Sequence, residues 1–342
     1  MSNHRVVVVG AGGISNAWFP HLKTEGFDVA GIVDINRAAA KNKAREHGLD
    51  CAVSTSLAGM LRRVKPDVVV DLTIPDAHCK VTCTALRAGC HVIGEKPMAA
   101  SMSQARKMVK ASEESGKLYM VSQSRRYEPR HKGLQAELSS GRIGGLTTVN
   151  CDFYIGAHFG GFRDEMESPL ILDMSIHHFD LARMMTGATP LSVYAQEFNP
   201  AGSWYKGDVA ANCIFEMSNG IIFAYRGSWC AEGMHTSWHG DWRFIGEKGT
   251  ICYEREQVPR GEVVVGDTGF FRDKAAFEVA DLPTAGGQHG AIKELKAFLE
   301  TGAKPQGECH DNIQSLAMVF GAMESSRKGK RVEIKNLYSQ AF

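Results

Sequence analysis

The chain has 342 residues, room for two domains at the usual ~100–200 residues each. Its 39 Lys and Arg against 38 Asp and Glu leave a formal net charge of +1, which argues against a general nucleic-acid binder. At 44% hydrophobic residues the chain is too apolar for disorder, yet no apolar run approaches the ~20 residues that span a bilayer. The segment after Met1 also lacks the apolar stretch and small-residue cleavage site of a signal peptide. The expectation is a soluble cytoplasmic protein with neither nucleic acid nor membrane as partner.

Over the first ~120 residues, short β-branched runs alternate with helical stretches. The runs are Arg5–Val9, Asp28–Val33, Asp67–Leu72, Cys90–Gly94 and Lys117–Val121, with a weaker one at Cys51–Val53. Between them the pattern predicts helices over Asn16–Glu25, Arg37–His47, Ser56–Val64, Ala77–Ala88 and Ser103–Ser115. Apolar strands alternating with helices imply a parallel sheet covered on both faces, and right-handed crossovers make it doubly wound. After residue 122 strand follows strand: Thr147–Tyr154, Leu191–Glu197, Ala210–Glu216, Ile221–Ser228, His239–Ile245 and Thr250–Tyr253. Asn219-Gly220 between two of them is a strong hairpin signal. Helices are expected near Pro169–Met185, Gly290–Thr301 and Asn312–Lys328. The fold class is therefore α/β: a Rossmann-type domain over 1–122, then an α+β domain over 123–342 with a large, mostly antiparallel open sheet. The last helix is expected to pack back on the first domain.

The nine cysteines are scattered and contain no Cys-x-x-Cys pair. They read as buried reduced thiols, and no metal site is expected. Cys79 and Cys83 share a helix face, but two thiols do not complete a metal shell.

The run Val6–Val9 leads into Gly10-Ala11-Gly12-Gly13-Ile14-Ser15, with a helix after it. This is the setting of a dinucleotide loop: Gly10 allows the tight turn, and Gly12 lets a pyrophosphate approach backbone N–H groups. Ser15 stands where a third glycine is usual and is small enough for close packing. The second strand ends in Asp34, placed to accept both ribose hydroxyls of NAD and to repel a 2′-phosphate. Arg37, three residues on, could pair with that phosphate or stack on adenine, so NAD is favoured and NADP stays open.

A further strand ends in Glu95-Lys96-Pro97, and parallel sheets place ligands at the carboxyl ends of their strands. Downstream, Ser168-Pro169 opens a helix that Gly187 closes. Leu170, Met174, Leu181 and Met185 form an apolar stripe flanked by Ile171, with His178 inside it. Asp173, His177 and Asp180 cluster along its edge, one turn apart. Carboxylates beside a histidine on a buried helix tune its proton affinity, so His177 is the candidate base and Asp173 its orienting partner. Asp180 either orients His177 or bonds a neighbouring loop, and is left outside the catalytic set. His178 reads as a core histidine.

Taken together, GAGGIS at 10–15, TIPDAH at 73–78, AGCHVIGEKP at 88–97, DMSIHHFD at 173–180, FLETGAKP at 298–305 and SSRKGKRVEI at 325–334 resemble the Gfo/Idh/MocA oxidoreductases over essentially the whole chain. The resemblance implies oxidation of a sugar, polyol or inositol-like hydroxyl by NAD(P), and a C-terminal sheet that builds homodimers or homotetramers. It places Lys96 near nicotinamide and substrate, with Asp173 and His177 completing the catalytic group. It sets Gly13, Ile14, Thr73, Pro75, His78 and Glu95 around the cofactor. Many members carry two or more glycines before the catalytic helix; here Glu167-Ser168-Pro169-Leu170 stand there, so the substrate pocket is expected to differ. Arg126 and Tyr127 resemble the family's segment at the domain junction and are either structural or substrate-lining. His158, Asp164 and His239 lie in loops with aromatic neighbours and are either substrate-facing or ordinary loop residues. Two competing functions keep the fold: glycoside hydrolysis through transient oxidation, and a cofactor-binding regulator without turnover. Lys96, Asp173 and His177 together argue against the regulator.

Overall fold

A computed structural model describes residues 4–339. Its contacts divide the chain into two compact units, one of residues 4–127 with 285–316, the other of residues 128–284 with 317–339.

The first unit is built on six parallel strands: β1 (Arg5–Val9), β2 (Asp28–Val33), β3 (Ala52–Ser54), β4 (Val68–Asp71), β5 (His91–Glu95) and β6 (Tyr119–Ser122). Their spatial order is β3-β2-β1-β4-β5-β6, all pairs parallel. The valines at 6–9 are buried, as a strand covered on both faces requires. Side-chain caps start the crossover helices: Asn36 for Arg37–Glu46, Ser56 for Leu57–Val64 and Ser101 for Met102–Ser115. Strand order reverses between β1 and β4, so the turns after these two strands flank the switch point where such sheets bind ligands. The helix expected over Asn16–Glu25 splits into a 3-10 turn, Gly13–Ala17, and an α-helix, Phe19–Thr24, with Pro20 in its first turn.

The expected boundary at residue 122 moves to Tyr127, and Ala285–Leu316 returns to the first unit. The physical reason lies in residues 126 and 127. Arg126 donates to Gln306 O (3.0 Å) and pairs with Asp311 (3.0 Å), while the Tyr127 hydroxyl donates to Glu294 (2.8 Å). The returning helix is Gly287–Thr301, whose Ala291, Ile292 and Leu295 join Trp18, Phe19 and Tyr127 in one core. The last expected helix, Asn312–Lys328, runs from Cys309 to Lys328, with its residues up to Leu316 in the first unit and those from Ala317 in the second.

The second unit carries nine strands: β7 (Leu146–Tyr154), β8 (Pro190–Phe198), β9 (Ala210–Met217), β10 (Ile222–Ser228), β11 (Asp241–Gly246), β12 (Gly249–Tyr253), β13 (Arg260–Val264), β14 (Lys274–Glu278) and β15 (Val332–Glu333). The order is β14-β13-β12-β11-β7-β10-β9-β8-β15, antiparallel except for the β7–β10 pair. The β9–β10 hairpin turns at Asn219 (φ 65) and Gly220 (φ 74), both positive as its tight turn demands. One sheet face packs on the helix Ile176–Thr186: Phe179 meets Phe215, Tyr225 and Phe223 at centroid distances of 4.8, 5.2 and 6.2 Å.

Candidate functional site

The turn after β1 has the geometry of a phosphate cradle. Gly10 sits at φ 100, and a Cβ there would lie 2.6 Å from Leu72 O, so no larger residue fits. Gly12 and Gly13 face open space, with no heavy atom within 4 Å of where a Cβ would stand. Ile14 is half exposed beside them. Ser15 is buried and donates its hydroxyl to Gly12 O at 2.7 Å, so the residue in the third-glycine position fastens the loop. Asp34 accepts the N–H of Ala11 and of Asn36, each at 2.7 Å, which fixes its carboxylate against the loop. Each oxygen keeps a further lone pair for a ribose hydroxyl. Arg37 is exposed in the first turn of its helix.

The turn after β4 is stapled from below. Asp71, 1% exposed, accepts the Thr73 hydroxyl at 2.6 Å and the Thr73 N–H at 3.1 Å. Burial pushes its carboxyl above the ordinary range, against the opposing pull of His78. His78, expected beside the cofactor, is buried, with ring nitrogens 2.9 Å from Thr73 O and 3.0 Å from Pro97 O. It therefore ties the Thr73–Pro75 turn to the Lys96–Pro97 turn. Pro75 opens the helix Pro75–Arg87, and Ile74 before it is exposed. Glu95 is buried as well. It accepts Trp18 Nε1 (2.8 Å), Gln288 Nε2 (3.4 Å) and the Lys96 N–H (3.2 Å). Lys96 is half-buried at the carboxyl end of β5, followed by a cis peptide to Pro97.

In the second unit, the segment expected as one helix has two parts: a wide turn with i→i+5 bonds, Leu170–Ser175, and the α-helix Ile176–Thr186. From Ser168 to Met185 every residue is buried except Leu172, Asp173 and His177. The polar pair thus shares the one open line of a segment sunk in the core. Asp173 accepts Arg163 Nε at 2.7 Å, and the Arg163 guanidinium lies over the rings of Phe159 (5.1 Å) and Phe162 (4.7 Å). Sequence reasoning missed Arg163; its signal is an arginine set among aromatic residues in the loop just before the segment. His178 is fully buried against Phe153 (4.9 Å), Tyr225 (5.5 Å) and Trp242 (6.3 Å), which makes it a packing residue. Asp180 is buried too.

His158 is exposed, paired with Glu232 at 2.9 Å and stacked on Trp204 at 3.6 Å. Asp164 is half-buried in the same loop, and its carbonyl accepts the Lys206 N–H at 2.8 Å. Phe159 meets Trp229 at 5.1 Å and Trp238 at 6.1 Å, so this loop carries an aromatic shelf next to Arg163. His239 stands edge-on to His131 at 4.7 Å, and its carbonyl accepts Trp242 Nε1 at 2.8 Å. Arg126 and Tyr127 are buried, holding the returning helices of the first unit. Sequence reasoning also passed over Glu197 on β8. Burial, with Asp208 and Glu167 repelling it, lifts its carboxyl to about 7, while a hydrogen bond from Ser168 holds it down.

A six-stranded doubly wound sheet with an open glycine loop and a strand-end carboxylate defines a nucleotide-binding oxidoreductase fold, and the sequence comparisons agree. The family profile described as an oxidoreductase family with an NAD-binding Rossmann fold matches residues 4–123, and the GFO/IDH/MocA C-terminal domain matches residues 131–252. The chain belongs to the GFO/IDH/MocA oxidoreductase family. It is 24% identical to 1,5-anhydro-D-fructose reductase of Ensifer adhaerens, over 96% of this chain and 98% of that protein. It is 25% identical to inositol 2-dehydrogenase of Rhizobium meliloti, over 89% and 90% of the two chains. Among solved structures, an oxidoreductase from Agrobacterium radiobacter in complex with NAD+, L-tartaric acid and magnesium shares the fold. Its TM-score is 0.85 at 22% identity, covering 98% of this chain and all of that one. No helix among the described residues is long and apolar enough to cross a membrane.

Proposed function

We propose that this protein oxidises a secondary hydroxyl of a sugar, polyol or inositol-like substrate. NAD, once bound, supplies the hydride acceptor. The backbone at Gly12 and Gly13 receives the pyrophosphate in the open space above the loop, and Asp34 accepts the ribose hydroxyls and repels a 2′-phosphate. His177 takes the hydroxyl proton, a role that contributes ~10²–10⁴-fold. Asp173, anchored by Arg163, stabilises the imidazolium that forms. Lys96, set by the Glu95 turn, stabilises the developing alkoxide charge. The observation that carries this reading is the exposure of Asp173 and His177 alone among the polar side chains of a buried segment. The aromatic shelf around Phe159 and the family relatives named for sugars and inositol support the substrate class.

The test is a panel of sugars, polyols and inositols with NAD and the purified protein, read at 340 nm and by product analysis. Accumulating NADH with one compound supports the reading. Glycoside cleavage without net NADH turns it to the elimination reaction, and NAD binding without turnover on any compound turns it to a regulator.

We further propose assembly into a homodimer or homotetramer through the open sheet. Tyr194, Ile214 and Ile222 are exposed on one face of β8, β9 and β10, where a second copy can cover them. Sedimentation of the protein and of its Ile214→Glu variant checks this. A monomer in both overturns it.

A further inference from the structure

Outside the residues assigned to NAD and substrate, the first unit brings together oxygen, sulfur and nitrogen donors that no step of the reaction uses. The segment Gln306–His310 lies along the outer edge of β6: Val121 N–H donates to Gly307 O at 2.8 Å, and Met120 and Glu308 form an antiparallel bridge. Gly307 must lack a side chain, because a Cβ would collide with Val121 O. This seat turns Glu308, Cys309 and His310 toward one point. Cys309 Sγ stands 3.0 Å from Glu308 Oε1 and 3.6 Å from His310 Nδ1, and the Glu308–His310 contact is 2.5 Å. Glu308 and Cys309 are buried and His310 is half-buried.

We propose that Glu308 Oε1, Cys309 Sγ and His310 Nδ1 form a binding site for a thiophilic divalent cation of the zinc type, with water as the fourth ligand. Carboxylate, thiolate and imidazole are the ligands such an ion takes, at ~2.0–2.3 Å, which sets ligands roughly 3.3–3.7 Å apart in a tetrahedron. The sulfur–nitrogen edge already has that length, and the other two must open by less than about 1 Å.

The surroundings supply what such a site needs beyond its ligands. His310 Nε2 is 3.0 Å from Glu113 Oε1, so Glu113 accepts the Nε2 proton and the Nδ1 lone pair is directed at the ion. A carboxylate on the far nitrogen is the partner that metal-bound imidazoles keep. Lys304 pairs with the other Glu308 oxygen at 2.9 Å and leaves Oε1 to the metal. Binding replaces the thiol proton, and the Nδ1 proton of a charged His310, which pass to solvent. The product is one cation with one thiolate and one carboxylate, neutral overall and so tolerable in a half-buried place. Its effect is structural, since it pins Gln306–His310 along the outer edge of β6.

The experiment uses the full-length protein, untagged and stripped with EDTA, titrated with Co²⁺ and followed by near-ultraviolet thiolate-to-metal absorbance. One equivalent is expected to saturate the band, with two or fewer protons released, and Zn²⁺ is expected to abolish it by displacement. Cys309→Ser should lose the band, and the paired Cys79→Ser, Cys83→Ser control should keep it. Glu113→Gln should keep the band but weaken Co²⁺ binding ~10-fold or more. If Cys309→Ser does not fold, His310→Ala, at a half-buried position, serves instead and should weaken binding at least as much as Glu113→Gln. No saturable band in the unaltered protein, a band surviving Cys309→Ser, or unchanged affinity in both Glu113→Gln and His310→Ala overturns the proposal.

Discussion

Glu197 offers a direct test of the electrostatics around the segment that carries Asp173 and His177. Burial lifts its carboxyl from about 4.5 to about 7, helped by Asp208 and Glu167 and opposed by the bond from Ser168 at the head of the segment. The folded state thus holds the proton more tightly than the unfolded chain. Its stabilising effect is complete below pH 4.5 and is lost as the pH rises through about 7. At about 1.4 kcal/mol per pH unit, the loss by pH 8.5 amounts to roughly 3 kcal/mol, against under about 1 kcal/mol at pH 5. Glu197→Gln removes the ionisation, keeps an acceptor for Ser168 and adds an amide donor near Asp208 and Glu167. The variant should therefore match the unaltered protein near pH 5. At pH 8.5 it should exceed it by about 2–3 kcal/mol, or several degrees in Tm.

Calorimetry of both proteins from pH 5 to pH 8.5 reads this directly. Ser168→Ala supplies a second handle: losing its hydrogen bond should move the pH window upward. Melting curves for Glu197→Gln that run parallel to those of the unaltered protein at every pH would refute the reasoning, because no buried carboxylate would then be charging on the basic side.

Asp34→Ala should narrow the preference for NAD over NADP, and should also lower NAD affinity because Ala11 and Asn36 lose their acceptor; isothermal titration with both cofactors checks it. Lys96→Ala should leave NAD affinity nearly unchanged and slow turnover, and full turnover would remove Lys96 from the mechanism. His177→Ala should cost ~10²-fold or more in turnover at nearly constant Tm. His178→Ala should destabilise by roughly 1–3 kcal/mol through lost packing against Phe153, Tyr225 and Trp242, with the folded protein still active. Arg163→Ala should depress turnover and shift the acidic limb of its pH profile, with Arg163→Lys recovering part of the loss; an unmoved limb counts against Asp173 acting on the base.

The elements written plainly in the sequence are those whose pattern has a single physical cause. Val6–Val9 can only be a strand buried on both faces, and Asn219-Gly220 can only be a turn with two positive φ angles. The helix Pro129–Ser139 escaped notice because it buries His131 and Gly133 beside Leu134 and Leu138, so no apolar stripe announces it. Gly133 is there because Ala280 O occupies the place of its Cβ, a contact no local window contains. Strands β13 and β14 are short, and β14, Lys-Ala-Ala-Phe-Glu, is almost wholly exposed at the sheet edge, so it needs no alternation of apolar residues.

The candidate site divides along the same line. Gly10, Asp34, Lys96, Asp173 and His177 are legible because their chemistry is carried by residue type and by position at a strand end or helix edge. What holds them is not legible, because the partners come from far along the chain. Glu95, which sets the Lys96 turn, is bonded by Trp18 across 77 residues and by Gln288 across 193. The same applies to His78: the family resemblance sets it around the cofactor, but its contact with Pro97 O, 19 residues on, which braces one turn against the other, has no local signal. Periodicity still separated His177 from His178, although the wide turn at Leu170–Ser175 breaks the regular helix on which that argument rests. The distinction survives because His177 and His178 both fall after the irregular turn, where a rotation of about 100° per residue holds and turns one ring to the aromatic core and the other to the open line.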